Sequence, residues 1–268
     1  MGTLALARPI LHAIDRAASR VDLLLALSQA DLRSRYGRGP WRVVKWLLDP
    51  FALVGVYLIL VTFVLHRAGA APGLSLACAV IPFQLVMTTV TNAMSTIAYR
   101  RAIILNMSFN RTLLPVSAVL TELIAFAGSL LLFVLLMAAY GIAPSLDALW
   151  LPVVIAVSVA FSIGVAYPAA LFGAWFPDLR PFAISFVRIL FFVAPGLVPL
   201  AAIPGRAQDL VRLNPLTGIF EGYRDVFLYG RRPAAWELVY PLAVGAVLLV
   251  SFVPVYRLEQ RQFAKIVE

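Results

Sequence analysis

The sequence is short of charge and of cysteine. Only 13% of its 268 residues are Asp, Glu, Lys or Arg, and it contains 1 Cys. Cys78 therefore has no partner for an intrachain disulfide. Soluble domains carry about 25% charged residues, whereas 62% of this chain is hydrophobic, more than one globule can bury. The scarcity of charge excludes an ordinary soluble domain and predicts lipid as the surrounding solvent.

Two familiar motifs are also missing. No G-x-x-x-x-G-K-[ST] phosphate loop is present, because the glycine runs YGRGP and IPGRA lack the lysine and the spacing. We therefore expect this chain to bind no nucleotide by that mechanism, and to hold no other cofactor and no metal. Residues 1–20 lack the uninterrupted apolar run of a secretory signal peptide, since charged residues divide them. We expect this segment to be retained.

In place of charge, the chain has a series of long apolar runs. A helix that crosses the hydrocarbon core needs about 20 mostly apolar residues. Because the runs are continuous rather than alternating, they indicate helices and not a barrel of strands. We predict an all-α integral membrane protein with six transmembrane helices, at 47–65, 74–98, 113–139, 149–173, 181–203 and 236–256. The predicted domains are a cytoplasmic N-terminal segment (1–46), the six-span domain (47–256) and a cytoplasmic tail (257–268).

The distribution of basic residues predicts the orientation. With both termini in the cytoplasm, most of the 22 Lys and Arg residues fall on the inner side of the membrane, as the positive-inside rule requires. We therefore expect a multi-pass protein of the plasma membrane, which in bacteria is the inner membrane. The net charge of +9 is then mostly a topology signal, and no nucleic-acid partner is needed to explain it.

Apolar residues of the N-terminal segment fall on one helical stripe. Leu23, Leu24, Leu27 and Ala30 share this stripe, although Asp31 interrupts it. The pattern predicts an amphipathic helix on the inner membrane surface, in contact with membrane lipids. Two roles stay open for its basic side chains: anchoring on anionic headgroups, or binding a lipid-linked diphosphate through bidentate guanidinium contacts. The candidate headgroup residues are Arg33, Arg35, Tyr36, Arg38, Trp41 and Arg42.

The segment NPLTGIFEGYRDVF, residues 214–227, lies on the outer side between the last two predicted spans. Asn214 and Pro215 suit the N-cap and the first position of a short helix. Its apolar residues share one face, which we expect to pack on the spans, and its charged residues share the opposite face, which we expect to meet water or a second copy. We predict short external re-entrant or gate helices before the last span, and the alternative for this helix is an interfacial anchor. The candidate gate residues are Asn214, Pro215, Glu221, Tyr223, Arg224 and Asp225.

Three separated stretches together carry a resemblance to a known family. They are DLRSRYGRGPW (31–41) followed by LLDP, then ILNMSFNRTLLPVSAVL (104–120), and finally the 214–227 segment with its Asn-Pro and Glu-x-x-Arg-Asp motifs. In this order around six spans they resemble the membrane (permease) subunits of ABC-2 type polysaccharide and O-antigen exporters.

The resemblance implies a homodimer that pairs with two copies of a separate cytosolic ATP-binding subunit. Such a complex moves a lipid-linked glycan, a cell-surface polysaccharide, across the plasma membrane. ATP and Mg are then used by the partner, and this chain is a transporter subunit and not an enzyme.

In such a complex the ATPase pushes on a cytoplasmic element of the permease. The 99–112 loop, YRRAIILNMSFNRT, is basic at both ends and apolar inside, as expected of a segment that docks in a groove on a partner. The alternative is a basic loop that only sets the topology. The candidate coupling residues are Tyr99, Arg100, Arg101, Ile104, Met107, Phe109 and Arg111.

Two charged residues, Glu122 and Arg188, fall inside predicted spans. Either one alone in lipid costs about 2.5–3.5 kcal/mol on insertion scales. Because both lie at a similar depth, we predict an intramembrane pair, within one subunit or across a dimer. The alternative is that each meets an aqueous cavity separately.

Two other functions stay open. One is a drug or lipid exporter of the same superfamily. The other is an intramembrane lipid-handling enzyme, which would need several polar groups within the spans, whereas His12 and His66 lie outside them.

Overall fold

A computed structural model of the chain describes residues 21–34, 37, 41–64, 71–106, 109–260 and 262–263. Every regular element in these ranges is helical, which confirms the all-α prediction for this part of the chain. The α-helices are α1 (21–34), α2 (Trp41–Ile59), α3 (Pro72–Tyr99), α4 (Arg101–Asn106), α5 (Leu113–Ala139), α6 (Leu151–Trp175), α7 (Arg180–Val193), α8 (Gly205–Arg212), α9 (Pro215–Phe227) and α10 (Ala235–Glu259). A π-helical turn, Leu60–Val64, continues α2, and 3₁₀ turns occupy Leu146–Trp150, Pro177–Leu179 and Leu200–Ala202.

Four of the six predicted spans coincide with helices that are long and apolar enough to cross a membrane. These are Pro72–Tyr99, Leu113–Ala139, Leu146–Trp175 and Ala235–Glu259. The shortest of them has 25 residues, which at about 1.5 Å per residue exceeds the roughly 30 Å of a hydrocarbon core.

The first predicted span differs in its start. We expected a helix from residue 47 with Pro50 near its entry, but α2 begins at Trp41 and contains Pro50. The helix therefore runs without a break through the predicted domain boundary at 46–47. Its apolar part, Pro50–Phe63, is shorter than the four long spans.

The fifth predicted span, 181–203, is wrong in its second half. α7 has 14 residues and ends at Val193, so it extends only about 21 Å at 1.5 Å per residue. Ala194 is extended, with ψ 163°, because the proline that follows it disfavours helical backbone. Residues 194–204 instead form turns and a short 3₁₀ segment, in which Gly196 and Leu200 make hydrogen bonds to α9.

α3 lies at the centre of the bundle. It packs against α5, α6 and α9, and also against α2 and α7. α10 packs on α6 and α9 and leaves an apolar face exposed, including Val239, Val247 and Val250. Such a face suits contact with lipid. Because α10 is apolar on its outer face as well as its packed face, its hydropathy was sufficient to predict it.

Two glycines of α6 allow its neighbours to approach closely. A Cβ on Gly173 would lie 2.0 Å from the Met94 carbonyl oxygen of α3, and one on Gly164 would lie 2.5 Å from the Gly245 carbonyl oxygen of α10. Small residues at helix crossings are how membrane helices gain contact without a hydrophobic driving force.

The close crossing of α3 and α6 predicts that replacing its glycine with alanine destabilises the protein, although alanine has the higher helix propensity. Ala in place of Gly favours a helix by about 1 kcal/mol, so Gly55→Ala in α2, where a Cβ has nothing within 4 Å, is expected to raise or preserve the melting temperature of the purified protein. Gly173→Ala is expected to lower it by several degrees, because its new methyl group meets backbone atoms. Equal melting temperatures for the two variants would contradict the packing described.

Candidate functional site

The start of α9 confirms the predicted helix signal. The Asn214 Oδ1 accepts a hydrogen bond from the Leu216 N–H at 3.1 Å, and Pro215 takes the first helical position. The Asn214 Nδ2 also donates to the Leu190 carbonyl oxygen of α7 at 2.7 Å. The cap therefore joins α9 to the last turn of α7.

The environment of α9 differs from the prediction. We expected its charged face to meet water or a second copy, but every residue from Leu216 to Phe227 is buried. α9 packs against α3, α6 and α10 of its own subunit. It is thus a helix buried within the bundle, and its charged face does not form an exposed surface.

A buried ion pair explains how α9 can carry charge into the bundle. Glu221 and Arg224 form an ion pair at 2.6 Å, with the Arg224 side chain fully buried. Arg224 also donates to the Ser75 carbonyl oxygen at 3.3 Å and to the Gly196 carbonyl oxygen at 3.4 Å. The Leu200 N–H donates to the Glu221 carboxylate at 3.0 Å. Because these bonds satisfy both charges, the pair fastens α9 to the start of α3 and to the turn after α7.

The third charge of the motif faces a cavity. Asp225 is buried and accepts from the exposed Arg231 guanidinium at 2.8 Å. The cavity, of about 980 Å³, is lined by Asp225 and Glu221 together with Glu237 and Trp236 of α10. Burial raises the pKa of the Asp225 carboxyl, and the hydrogen bond from Arg231 opposes that rise. Asp225 therefore holds a proton more readily than an ordinary aspartate.

The raised pKa of Asp225 predicts a pH dependence. Since the folded state favours the protonated acid, the contribution of Asp225 to stability is greatest below the ordinary aspartate pKa and is lost as the pH rises through the raised value. The melting temperature should fall from acidic to neutral pH, and less steeply in Asp225→Asn. Asp209→Asn, at an exposed position of α8, should keep the wild-type slope. An unchanged slope in Asp225→Asn would contradict this assignment.

The apolar face of α9 packs on the spans as expected. Tyr223 is fully buried, stacks on Phe133 of α5 with ring centroids 6.0 Å apart, and accepts a hydrogen bond from the Ser158 hydroxyl at 3.4 Å. Phe227 stacks on the same ring at 4.2 Å. Tyr223 is therefore a core residue and does not lie at an opening.

The other candidate cluster lies at the opposite end of α3. Ser75, which binds Arg224, lies in the first turn of α3, whereas Arg100 directly follows its last residue. The helix between them rises about 1.5 Å per residue. The 99–112 loop and the charged motif of α9 therefore lie at opposite ends of the bundle, here called the loop end and the gate end.

The structure divides the predicted coupling residues into two groups. Tyr99 is 86% exposed and Arg101 is also exposed, as docking residues must be. Ile104 is buried in the core and Arg100 is buried among polar groups, so these two side chains differ from the prediction in lying below the surface of the chain. Leu105, which was not among the predicted coupling residues, is an exposed apolar residue of α4. Met107 lies outside the described residues.

Arg111 and the half-buried Phe109 belong to the packed side of the loop. Arg111 donates to the backbone carbonyl oxygens of Gln260 and, at 3.4 Å, of Ile104. The Tyr256 hydroxyl of α10 donates to the Arg111 carbonyl oxygen at 3.2 Å. The loop is thereby tied to the end of the last helix, a contact that sequence spacing could not reveal.

Part of the N-terminal segment is described. α1 buries Leu27 and leaves Arg33 exposed, as a surface helix predicts. Asp31, which interrupted the apolar stripe, forms an ion pair with Arg100. Arg35, Tyr36 and Arg38 lie outside the described residues, as do the side chains of Trp41 and Arg42.

The two intramembrane charges are not brought together within one subunit in the described part of the chain. Glu122 is buried and accepts a hydrogen bond from the Asn92 side chain. Arg188 is exposed on α7. A Glu122–Arg188 pair across a dimer stays a prediction. Among the described residues, no group of three or more His, Cys, Asp or Glu is placed to hold a metal ion.

The fold and these two clusters define the structural class of the protein. Four long apolar helices, with α3 at their centre and a buried charged helix packed among them, are the architecture of a multi-pass α-helical membrane protein.

Comparison with known proteins then identifies the relatives. The chain is 29% identical over 246 residues to an O-antigen export system permease protein of Myxococcus xanthus, covering 91% of this chain and 94% of that protein. It is 24% identical over 247 residues to a protein of the same name from Klebsiella pneumoniae, covering 91% and 95%. No family model matches the chain. The resemblance predicted from the three motifs is therefore confirmed, and the chain is similar to O-antigen export permeases over 91% of its length.

Proposed function

We propose that this chain is the permease subunit of an ATP-driven exporter that moves a lipid-linked cell-surface polysaccharide across the bacterial inner membrane. The observation that carries the proposal is the similarity over 91% of the chain to relatives named as O-antigen export permeases. The similar region includes the long spans, the 99–112 loop and α9. The names of these relatives favour a glycan over a drug as cargo, and a transporter over an enzyme.

The proposed complex is a homodimer with two copies of a cytosolic ATP-binding subunit, which uses ATP and Mg. The remaining two spans are supplied by α2 and by α7 together with the residues that follow it, so that both termini are cytoplasmic. Phe182, Phe186 and Phe192 of α7 are exposed and suit either a second copy or the flat faces of sugar rings. Their exposure supports a conduit or dimer face on the α7 side of the bundle.

The mechanism uses the two ends of α3. The ATPase presses on exposed residues of the loop end, and the spans transmit the motion to the gate end. There the Glu221–Arg224 pair holds α9 against the start of α3 and the turn after α7. Opening requires α9 and this turn to move as one body, because breaking the pair would leave a charge buried without a partner.

The proposal is tested by deleting the gene from its host and measuring the polysaccharide on intact cells with an antibody. Surface polysaccharide should disappear while lipid-linked glycan accumulates inside, and a plasmid copy should restore the wild-type pattern. A partner ATPase that lacks its phosphate-loop lysine should give the same phenotype. Unchanged surface polysaccharide in the deletion strain would overturn the proposed function.

A further inference from the structure

We infer that Asp31 and Arg100 are positioning residues that join α1 and the 99–112 loop into one force-transmitting body. This inference rests on the proposed function, since it concerns how movement of the ATPase reaches the spans. The two side chains are buried or half-buried, so they can link elements within the subunit, whereas the exposed residues of the loop can only contact the ATPase.

Arg100 connects three helices through one side chain. It follows the last residue of α3, where its N–H donates to the Thr96 carbonyl oxygen at 3.2 Å. Its guanidinium donates to the Asp31 carboxylate of α1 and, at 2.5 Å, to the Ser117 hydroxyl of α5. Only 7% of the side chain is exposed. A displacement of α1 is therefore passed directly to the ends of α3 and α5.

A second contact aligns α1 with α5. The buried Ser28 hydroxyl donates to the Ser117 carbonyl oxygen at 3.3 Å, and the Thr121 hydroxyl donates to the Asp31 carboxylate at 3.5 Å. Ser28 and Asp31 are three residues apart, and Ser117 and Thr121 are four apart, so each pair lies on one helical face. The two faces meet in register, which explains why Asp31 stands in an otherwise apolar stripe.

A third set of contacts extends the body to α10. Arg111 donates to the Gln260 carbonyl oxygen, and the Tyr256 hydroxyl donates to the Arg111 carbonyl oxygen at 3.2 Å. On the other side of the loop, the Tyr167 hydroxyl of α6 donates to the Thr112 carbonyl oxygen at 3.0 Å. Force applied to the loop thus reaches the inner ends of α6 and α10 as well.

The Asp31–Arg100 pair is suited to transmission rather than to holding the fold. Asp31 is 37% exposed and lines a cavity of about 620 Å³ together with Ser34, Asn92 and Thr96. Separating a partly solvated ion pair costs less free energy than separating the fully buried Glu221–Arg224 pair. Removing it should therefore leave the subunit folded while loosening α1 from the loop.

The test measures export and ATP hydrolysis in the same complex. In Asp31→Asn and Arg100→Gln, co-purification with the ATPase and the hydrolysis rate should be retained. Polysaccharide exported per ATP should fall by about tenfold, within the range of ordinary coupling free energies. The charge swap Asp31→Arg with Arg100→Asp should recover part of the ratio. Arg257→Gln, an exposed position at the end of α10, removes the same charge and should not change it.

An unchanged export-to-hydrolysis ratio in both single variants would overturn the inference. If the variants fail to fold, a second measurement in the otherwise wild-type complex replaces them. Spin labels at Arg33→Cys and Asn110→Cys, both exposed, should keep one mean distance in the nucleotide-free and vanadate-trapped states. A different mean distance would show that α1 and the loop move separately. A wild-type complex that hydrolyses ATP but exports no glycan would instead contradict the proposed function.

Discussion

Replacing Arg224 with leucine is expected to remove most of the folded protein from the membrane, and export with it. The guanidinium is fully buried and satisfies Glu221, Ser75 and Gly196 at once. Breaking a buried pair from one side costs about 3–5 kcal/mol, because the remaining charge has no partner. That is a large part of the roughly 5–15 kcal/mol that stabilises a typical folded protein. The measurement is the amount of monodisperse protein extracted from membranes, compared with wild type.

Two further variants separate the loss of the pair from the loss of any arginine. Arg206→Leu removes an exposed guanidinium from α8 and should leave the yield unchanged. Glu221→Leu combined with Arg224→Leu should recover part of the folded protein, since no uncompensated charge stays buried. Wild-type yield for the single variant Arg224→Leu would contradict a fastening role for this pair.

Loss of the exposed side chains at the loop end should strongly weaken binding of the ATPase without affecting the fold of the permease. Tyr99 and Leu105 are exposed and apolar at the inner end of α3 and in α4. Truncating an interface anchor commonly costs about 2 kcal/mol or more, so Tyr99→Ala with Leu105→Ala should weaken binding of the ATPase by at least about a hundredfold. The measurement is co-purification of the two subunits at limiting concentration.

The neighbouring Ile104 provides the contrast. Its side chain is buried, and truncating a buried aliphatic residue costs about 2–5 kcal/mol of stability. Ile104→Ala should therefore lower the melting temperature of the permease while the folded fraction still binds the ATPase. If Ile104→Ala weakened binding and Tyr99→Ala with Leu105→Ala did not, the division of the loop into packed and docking residues would be wrong.

Local signals in the sequence located most of the helices. Continuous apolar runs identified the four long spans, and Asn214-Pro215 located the start of α9 because capping depends on adjacent residues. The spacing of Glu221 and Arg224 placed both residues on one face of α9 for the same reason. Each of these features is decided within a few turns of one helix.

What the sequence could not supply is the surroundings of each face. A helical pattern shows that Glu221, Arg224 and Asp225 share a side of α9, but only the tertiary fold decides whether that side meets water or the bundle. The partners of Arg100 and Arg111 lie far along the chain: Asp31 is 69 residues away, and Tyr256 is 145 residues from Arg111. No local pattern connects such residues.

The central claim is that the loop end and the gate end lie on opposite sides of the membrane. Cys78 is fully buried, so single cysteines can be labelled in intact cells with little background from it. We predict that a membrane-impermeant maleimide labels Arg232→Cys, exposed near the gate end, in whole cells, and labels Tyr99→Cys only after the cells are lysed. Labelling of both positions in whole cells, or of neither before lysis, would contradict the account.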